Sequence, residues 1–214
     1  NKDEAIKYYK MAIDHGNTDA MANYACMLIN GHGVPVDYEE GLKYIKLAIN
    51  NGNSNAICEY ALMLYKGHGV PIDKEEGIKH FKLAINKGST SAMIEYAKIL
   101  LNDNKEEEAI KYIKMAIDNN NSDAILFYAN MLFNGDQIPA NKEEALKYYK
   151  IAIDKGNSTA MNIYGNLLYR GDGIPINKEE AIKYYKMAMD AGCSYAIYNY
   201  AVMLERGDGV PINK

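Results

Sequence analysis

Apolar and polar residues follow one another along this chain with the spacing of amphipathic helices, and the whole pattern returns about every 36 residues. In each copy an alanine, a tyrosine and a leucine stand at intervals of four, as Ala20, Tyr24 and Leu28 do. That interval puts the three side chains on one helical face, so we predict that they lie in the core. The equivalent residues are Ala56, Tyr60 and Leu64; Ala92, Tyr96 and Leu100; Ala124, Tyr128 and Leu132; Ala160, Tyr164 and Leu168; and Ala196, Tyr200 and Leu204.

A second helix follows in each copy and carries a different stripe. A Gly or Ala is followed four residues later by a bulky residue, and three residues after that by an Ala, as in Ala181, Tyr185 and Ala188. Small and large side chains in alternation let helices pack closely, so this stripe is also predicted to be core. Because Phe and Ile replace Tyr in other copies, we interpret bulk as more important there than the hydroxyl group. The bulky residues are Tyr9, Ile45, Phe81, Ile113, Tyr149 and Tyr185.

The residues between the helices carry the signals that start and stop them. Each first helix follows a hydroxyl residue, which we predict as its N-cap, and in every repeat except 89–120 a left-handed glycine ends it. A Gly-x-Gly-Val/Ile-Pro loop then leads to an Asp or Asn placed three residues before a Glu, the spacing of a capping box. The predicted first-helix caps are Thr18, Ser54, Thr90, Ser122, Ser158 and Ser194; the second loop glycines are Gly33, Gly69, Gly173 and Gly209; the capping boxes are Asp37 with Glu40, Asp73 with Glu76, Asn141 with Glu144 and Asn177 with Glu180.

These signals predict an all-α fold of antiparallel helix pairs with about 12 helices. We expect a single solenoid array over residues 1–214. Because it opens on a lone second helix and closes on a lone first helix, we expect the array to be a fragment of a longer protein. The full repeats are 17–52, 53–88, 89–120, 121–156 and 157–192, with half repeats at 1–16 and 193–214; repeat 89–120 lacks four loop residues and joins its helices by an Asn-Asp-Asn turn.

Composition and charge narrow the function classes. The net charge is −4 with acids and bases interleaved, which disfavours nucleic acid as a partner, and no apolar run is long enough for insertion into a membrane. The three cysteines, Cys26, Cys58 and Cys193, form no CxxC pair, so we expect free thiols and a reducing compartment, with the cytoplasm favoured. No spacing of His, Cys or acids suits a metal, and the Gly-rich loops follow helices, so no cofactor is expected.

The repeated carboxylate pair, such as Glu179 and Glu180, could be mistaken for a general acid and base. A catalytic carboxyl needs a dry pocket that raises its pKa, and these residues are expected in the exposed first turn of a helix. The sequence therefore predicts a cap and a surface ion pair rather than an enzyme.

The residue pattern A-x3-YA-x2-L-x2-G-x-GVP-x-D-x2-EA-x2-YY-x2-A-x3-G resembles the Sel-one-like repeat, a relative of the tetratricopeptide repeat, over the entire chain. The resemblance implies an α/α right-handed superhelical solenoid and a role as a scaffold in signalling, protein quality control or host–microbe contact. One cysteine-rich branch of the family is credited with β-lactam binding. This chain lacks that branch's cysteine pair in every repeat, and it has no Ser-x-x-Lys or Gly-x-Ser-x-Gly motif.

The candidate binding residues lie opposite the core stripe of the first helices, at positions 7, 10 and 14 of each repeat. The resemblance implies that the first helices line the concave surface, where asparagine amides would bind the backbone of an extended peptide and Lys or Arg would select acidic groups. A plain polar surface is the alternative at these positions. The predicted partner-binding residues are Asn23, Asn30, Glu59, Lys66, Glu95, Lys98, Phe127, Asn130, Asn134, Asn166, Arg170, Asn199 and Arg206.

The sequence therefore favours a non-catalytic protein-interaction scaffold or adaptor. The alternatives are a repeat-borne hydrolase, a small-molecule binder of the β-lactam type, and a regulatory array attached to a catalytic domain outside this segment. The sequence leaves the oligomeric state open.

Overall fold

The computed structural model describes residues 2–208, which contain twelve α-helices of 13 residues each and no strand. The all-α class and the helix number are therefore as predicted. No described helix is long and apolar enough to cross a membrane. The helices are α1 (Lys2–Asp14), α2 (Thr18–Asn30), α3 (Tyr38–Asn50), α4 (Ser54–Lys66), α5 (Lys74–Asn86), α6 (Thr90–Asn102), α7 (Glu106–Asp118), α8 (Ser122–Asn134), α9 (Lys142–Asp154), α10 (Ser158–Arg170), α11 (Lys178–Asp190) and α12 (Ser194–Arg206).

The chain divides into an N-terminal lobe, Asn1–Leu100, and a C-terminal lobe, Leu101–Lys214, and the boundary falls within α6. In the N-terminal lobe α2 packs along α3 and α4 along α5, while α1 contacts α2 and α3 contacts α4. In the C-terminal lobe α8 packs along α9 and α10 along α11, while α7, α9 and α11 each contact the first helix that follows. One continuous array over 1–214, and its being a fragment, stay predictions.

The first helices are capped one residue earlier than predicted. Asn53 Oδ1 accepts the backbone N–H of Ala56 at 2.9 Å, so the asparagine is the N-cap and Ser54 is the first helical residue. An asparagine at this place reaches the N–H of the third helical residue, which leaves the hydroxyl residue without that role. The same correction applies to Thr18 (cap Asn17), Thr90 (Ser89), Ser122 (Asn121), Ser158 (Asn157) and Ser194, whose N-cap Cys193 makes no side-chain bond.

The capping residue also ties its repeat to the preceding one within a lobe. Asn53 Nδ2 donates to Asp19 Oδ1 at 2.8 Å and to Thr18 Oγ1 at 3.3 Å. The buried Asn53 side chain therefore caps its own helix with its oxygen and donates to the preceding repeat with its nitrogen. The equivalent bonds are Asn157 Nδ2 to Asp123 Oδ1 at 3.0 Å and to Ser122 Oγ at 3.4 Å, and Ser89 Oγ to Asn55 Oδ1 at 3.0 Å.

The second helices have the predicted N-caps but lack the reciprocal half of the capping box. Asn177 Oδ1 accepts the backbone N–H of Glu180 at 3.0 Å, and the Glu180 carboxylate accepts from the side-chain amide of Asn177 at 3.1 Å. The backbone N–H of Asn177 already donates to the carbonyl of Leu168 at 2.9 Å, so this N–H is not available to the Glu180 carboxylate. Asp37, Asp73 and Asn141 accept from Glu40, Glu76 and Glu144 in the same way, at 2.9, 2.9 and 3.1 Å.

The loops use left-handed backbone where the sequence places glycine. Gly171 ends α10 at φ 76°, and a Cβ there would lie 2.5 Å from Ile176 Cγ1. At the second loop position Gln137 takes φ 63° in place of glycine. Gly209 lies outside the described residues. In repeat 89–120 the turn between α6 and α7 places Asn104 at φ 55°.

The core is built from both predicted stripes. The bulky second-helix residues Ile45, Phe81, Ile113, Tyr149 and Tyr185 are all at most 2 % exposed. They pack against small residues: a Cβ on Gly165 of α10 would lie 2.9 Å from Tyr185 Cε1. The first-helix tyrosines and leucines are buried or half-buried except in α12, where Leu204 is 46 % exposed.

Candidate partner-binding surface

The first-helix face is defined here as positions 7, 10 and 14 of each repeat, counted from residues 17, 53, 89, 121, 157 and 193. None of the predicted binding residues on it is buried. Seven are exposed, namely Asn23, Asn30, Lys66, Lys98, Asn134, Arg170 and Arg206, and six are half-buried, namely Glu59, Glu95, Phe127, Asn130, Asn166 and Asn199.

Position 7 is half-buried in every repeat except the first, where Asn23 is exposed. In two repeats it contacts the first helix of the preceding repeat in the same lobe. Asn199 Nδ2 donates to Asn162 Oδ1 at 2.8 Å, and Asn162 is itself buried. In the N-terminal lobe the Glu59 carboxylate lies against the thiol of Cys26, which is at position 10 of the preceding repeat. The Asn199 bond brings position 6 of the preceding repeat, Asn162, into contact with this face, which angular spacing alone does not predict.

In two repeats the residue at position 10 is hydrogen-bonded to the bulky core residue of the second helix. The hydroxyl of Tyr149 donates to Asn130 Oδ1 and that of Tyr185 donates to Asn166 Oδ1, each at 2.7 Å. Burial raises the pKa of both tyrosines to about 12, so the hydroxyls stay protonated donors. The interpretation that the bulk of this core residue matters more than its hydroxyl group is therefore wrong for Tyr149 and Tyr185.

The tyrosine hydroxyl orients the asparagine side chain. Because Asn130 and Asn166 accept the tyrosine hydroxyls with Oδ1, each keeps the two N–H donors of its Nδ2 group for another acceptor. The residue types occur together: where position 10 is not asparagine, the core residue is not tyrosine. The other pairs are Cys26 with Ile45, Leu62 with Phe81, and Lys98 with Ile113.

Position 14 lies in the last turn of each first helix. Asn30 Nδ2 donates to the carbonyl of Cys26 at 2.9 Å, and Asn134 Nδ2 donates to Asp136 Oδ2 at 3.1 Å. Lys66, Arg170 and Arg206 place a cation at this end of the helix, where the helix dipole favours positive charge. Asn30 and Asn134 are thus hydrogen-bonded within their own repeats.

The chemistry of the face differs between the lobes. In the N-terminal lobe it carries Glu59 and Glu95, and Lys98 forms a 2.6 Å ion pair with Glu95. In the C-terminal lobe the three positions carry Phe127, Ile163, Val202, asparagines and arginines, and no acid. The C-terminal lobe therefore offers apolar contacts beside oriented donors, while the N-terminal lobe offers mixed charge.

The cysteines near this face are poor nucleophiles. Burial, followed by the nearby Glu59 charge, raises the pKa of Cys26 to about 12, and the same causes raise that of Cys58. Burial also raises the pKa of the Glu59 carboxyl. Within residues 2–208, no group of three or more His, Cys, Asp or Glu side chains is placed to hold a metal ion.

The repeated carboxylates of the second helices line shallow surface grooves rather than a dry pocket. One such groove contains Glu143, Glu144, Lys147 and Tyr148. Lys147 bonds Glu143 at 2.9 Å and lowers the pKa of that carboxyl, which is the opposite of what a general acid requires. The predicted surface pairing of this glutamate with the lysine four residues later is confirmed here and at Glu75 with Lys79.

Comparison with proteins of known fold agrees with this architecture. A Sel1 repeat protein from Oxalobacter formigenes is 23 % identical over 98 % of this chain and 94 % of that one, with a TM-score of 0.75. The protective antigen c5321 of uropathogenic Escherichia coli, which displays an SLR fold, is 22 % identical over 95 % of this chain, with a TM-score of 0.64. The chain spans only 44 % of that antigen's length.

The immunity protein Pa5087 from Pseudomonas aeruginosa is 18 % identical over 88 % of this chain and 74 % of its own, with a TM-score of 0.73. At these identities the likeness shows the fold alone. A comparison with curated proteins gave no match. The Sel1 repeat family model matches residues 1–17, 18–53, 54–89, 91–121, 122–157, 158–193 and 194–214. Because those seven matches cover almost the whole sequence, this chain belongs to the Sel1 repeat family.

Proposed function

We propose that this chain is a non-catalytic interaction scaffold that binds a partner protein, as an extended segment, along the first-helix face. Sel1 repeat proteins are generally protein-interaction scaffolds. The observation that carries the proposal is the orientation of Asn130 and Asn166 by buried tyrosine hydroxyls. Oriented donors suit the main-chain carbonyls of an extended peptide, which every sequence offers.

The residues around these donors support the same occupant. Phe127 and Ile163 stand at position 7 beside the two asparagines, and these half-buried side chains make this part of the surface apolar. Arg170 and Arg206 add exposed cations near the helix ends, where carboxylates of a partner would be favoured. We expect the C-terminal lobe to prefer a segment with apolar and acidic side chains.

An enzyme fits the side chains less well. The repeated glutamates are exposed or half-buried, and the thiols of Cys26 and Cys58 have raised pKa values, so neither set supplies an activated acid, base or nucleophile. A catalytic domain outside this segment is compatible with the scaffold role, because the array would then act as its adaptor.

Selection from a phage-displayed library of random peptides tests the proposal. Peptides that bind the wild-type chain are measured again, by fluorescence anisotropy, with a variant that carries Asn130→Ala, Asn134→Ala and Arg170→Ala. We expect affinity to fall by at least about tenfold, equivalent to about 1.4 kcal/mol. Circular dichroism checks that the helices remain.

A matched control carries three alanine substitutions at exposed second-helix residues, Lys147, Lys183 and Glu179, and should bind like the wild type. A further variant, with Tyr149→Phe and Tyr185→Phe, leaves the surface residues in place but releases the two amides. We expect it to bind more weakly than the control. Unchanged affinity in the alanine triple variant would place the binding site elsewhere.

A further inference from the structure

The first helices α8 and α10 lie side by side, with an asparagine at the same height in each. Asn157, the N-cap of α10, donates to Asp123 in the first turn of α8 at 3.0 Å, so the two helices begin together. Both helices have 13 residues, and Asn130 and Asn166 occupy the same position in them. Packed helices have axes about 8–10 Å apart, so we expect about this distance between the two asparagines.

The amide nitrogens of these two asparagines are accessible donors. Their Oδ1 atoms accept the hydroxyls of Tyr149 and Tyr185, and within the described part of the chain neither Nδ2 donates to a protein group. Among the described side chains, no buried nitrogen or oxygen lacks a hydrogen-bond partner, so both Nδ2 groups must be reached by solvent. The lobe therefore offers two pairs of N–H donors, one repeat apart, to the acceptors of a bound segment.

The distance between the donors discriminates among the conformations that a bound segment can take. In a β-strand, carbonyls return to the same side every two residues, which is about 6.8 Å, and a step of three residues turns the carbonyl to the opposite side. An α-helix uses its carbonyls internally. A polyproline II segment has three residues per turn, rises about 3.1 Å per residue and makes no internal hydrogen bonds. Its carbonyls therefore recur on one side about every 9.3 Å, which matches the expected spacing of the asparagines.

The rows of residues on either side of the asparagines differ in chemistry. One turn nearer the start of each helix, about 4.5 Å along its axis, lie the half-buried apolar side chains of Phe127 and Ile163. One turn nearer the end, about 6 Å along the axis, lie Asn134 and the exposed cation Arg170. A segment that crosses the helices over the asparagines therefore has an apolar row on one side and a cationic row on the other.

We propose that the segment bound by the C-terminal lobe is a polyproline II segment of a partner protein, with three of its residues to each repeat; this inference rests on the proposed function. Carbonyls three residues apart accept from Asn130 and Asn166. Apolar side chains on one edge of the segment contact Phe127 and Ile163, and acidic side chains on another edge pair with Arg170. Apolar and acidic residues of the ligand should therefore each recur every third position. Position 10 carries no asparagine in the N-terminal lobe, so this register belongs to the C-terminal lobe.

Ester scanning of a peptide ligand tests the spacing. The probe is a fluorescein-labelled peptide from the random library that binds the wild type and loses affinity in the triple alanine variant of the first-helix face. Each backbone amide is replaced in turn by an ester, whose carbonyl is a weaker acceptor, and the affinity is measured for the wild type, Asn130→Ala and Asn166→Ala. One ester should weaken binding to the wild type about threefold to tenfold and have no effect in Asn130→Ala. A second ester, three residues away, should behave in the same way with Asn166→Ala.

The same measurements separate failure of the register from failure of the proposed function. Lys147→Ala, at an exposed residue of α9, is the control, and every ester should act in it as in the wild type. Coupled carbonyls two residues apart would indicate a β-strand and overturn the inference, as would the absence of coupling at every carbonyl, while binding along the first-helix face would stand. Library peptides whose affinity does not depend on that face would refute the proposed function and the inference together.

Discussion

The hydrogen bond from Asn157 to Asp123 should stabilise the fold, and replacing the donor nitrogen of Asn157 by oxygen tests this prediction. Asn157→Asp is nearly isosteric and keeps an oxygen to cap α10, since Asp is as good an N-cap as Asn. It removes the Nδ2 donor that lies 3.0 Å from Asp123 Oδ1 and puts a second carboxylate in its place.

The cost follows from these contacts. A hydrogen bond to a charged group contributes about 1.5–3 kcal/mol, and Asp123 is exposed, so the lower half of that range applies. Repulsion between two carboxylates at this distance adds about 1 kcal/mol even with the full screening of bulk water. We expect Asn157→Asp to lower the free energy of unfolding by about 2–3 kcal/mol at neutral pH.

Exchanging the two groups supplies the control. In the double variant Asn157→Asp, Asp123→Asn, the amide of residue 123 donates to the new carboxylate, and the cap of α10 is retained. The free energy of unfolding, measured by urea titration with circular dichroism, should return to within about 1 kcal/mol of the wild type. A double variant no more stable than Asn157→Asp alone would refute the assigned role of the bond between repeats.

Three further predictions concern the core and the contacts between neighbouring first helices. Tyr185→Phe should lower the free energy of unfolding, measured by urea titration, by about 1 kcal/mol because it removes one neutral hydrogen bond. Adding Asn166→Leu gives the Leu and Phe pair found in repeat 53–88 and should recover most of that loss. Burial raises the pKa of the Glu59 carboxyl, so the ionised carboxylate destabilises the folded state at neutral pH. This destabilisation disappears as the pH falls through the raised pKa. Glu59→Gln should therefore be more stable than the wild type at pH 7, and the difference in the free energy of unfolding should shrink on acidification. With its pKa raised to about 12, Cys26 should react with a chromogenic disulfide reagent at pH 8 at least about 100-fold more slowly than free cysteine, and equal rates would contradict its burial.

The sequence predicts the helices well because their signals are local and repeated. Intervals of four, a terminal glycine and a proline in each loop act over a few residues, and each repeat supplies an independent copy. The caps were misplaced by one residue because asparagine and a hydroxyl residue stand side by side, and both types are good N-caps. The missing half of the capping box depends on the Leu168 carbonyl, which only the packed helix pair brings to Asn177.

The candidate surface was predictable in position but not in detail. Angular spacing alone identified a face that the structure leaves unburied. It did not reveal that Asn130 accepts from Tyr149, nineteen residues away in the chain. The joint presence of Asn and Tyr in the same two repeats was the available signal. Which atom of the amide lies outward depends on that partner, and spacing carries no information about it.

The bonds between capping residues and the preceding repeat impose a rule on how repeats can be deleted or exchanged. Removing residues 53–88 would place Ser89 next to Asp19, a hydroxyl donor beside a carboxylate, and the junction would keep a hydrogen bond. Removing residues 157–192 would instead place Cys193 next to Asp123, and a thiol is only a weak donor. Deletion or exchange of a repeat is therefore constrained at each junction by two side chains, the capping residue and its acceptor in the preceding repeat, that must suit one another.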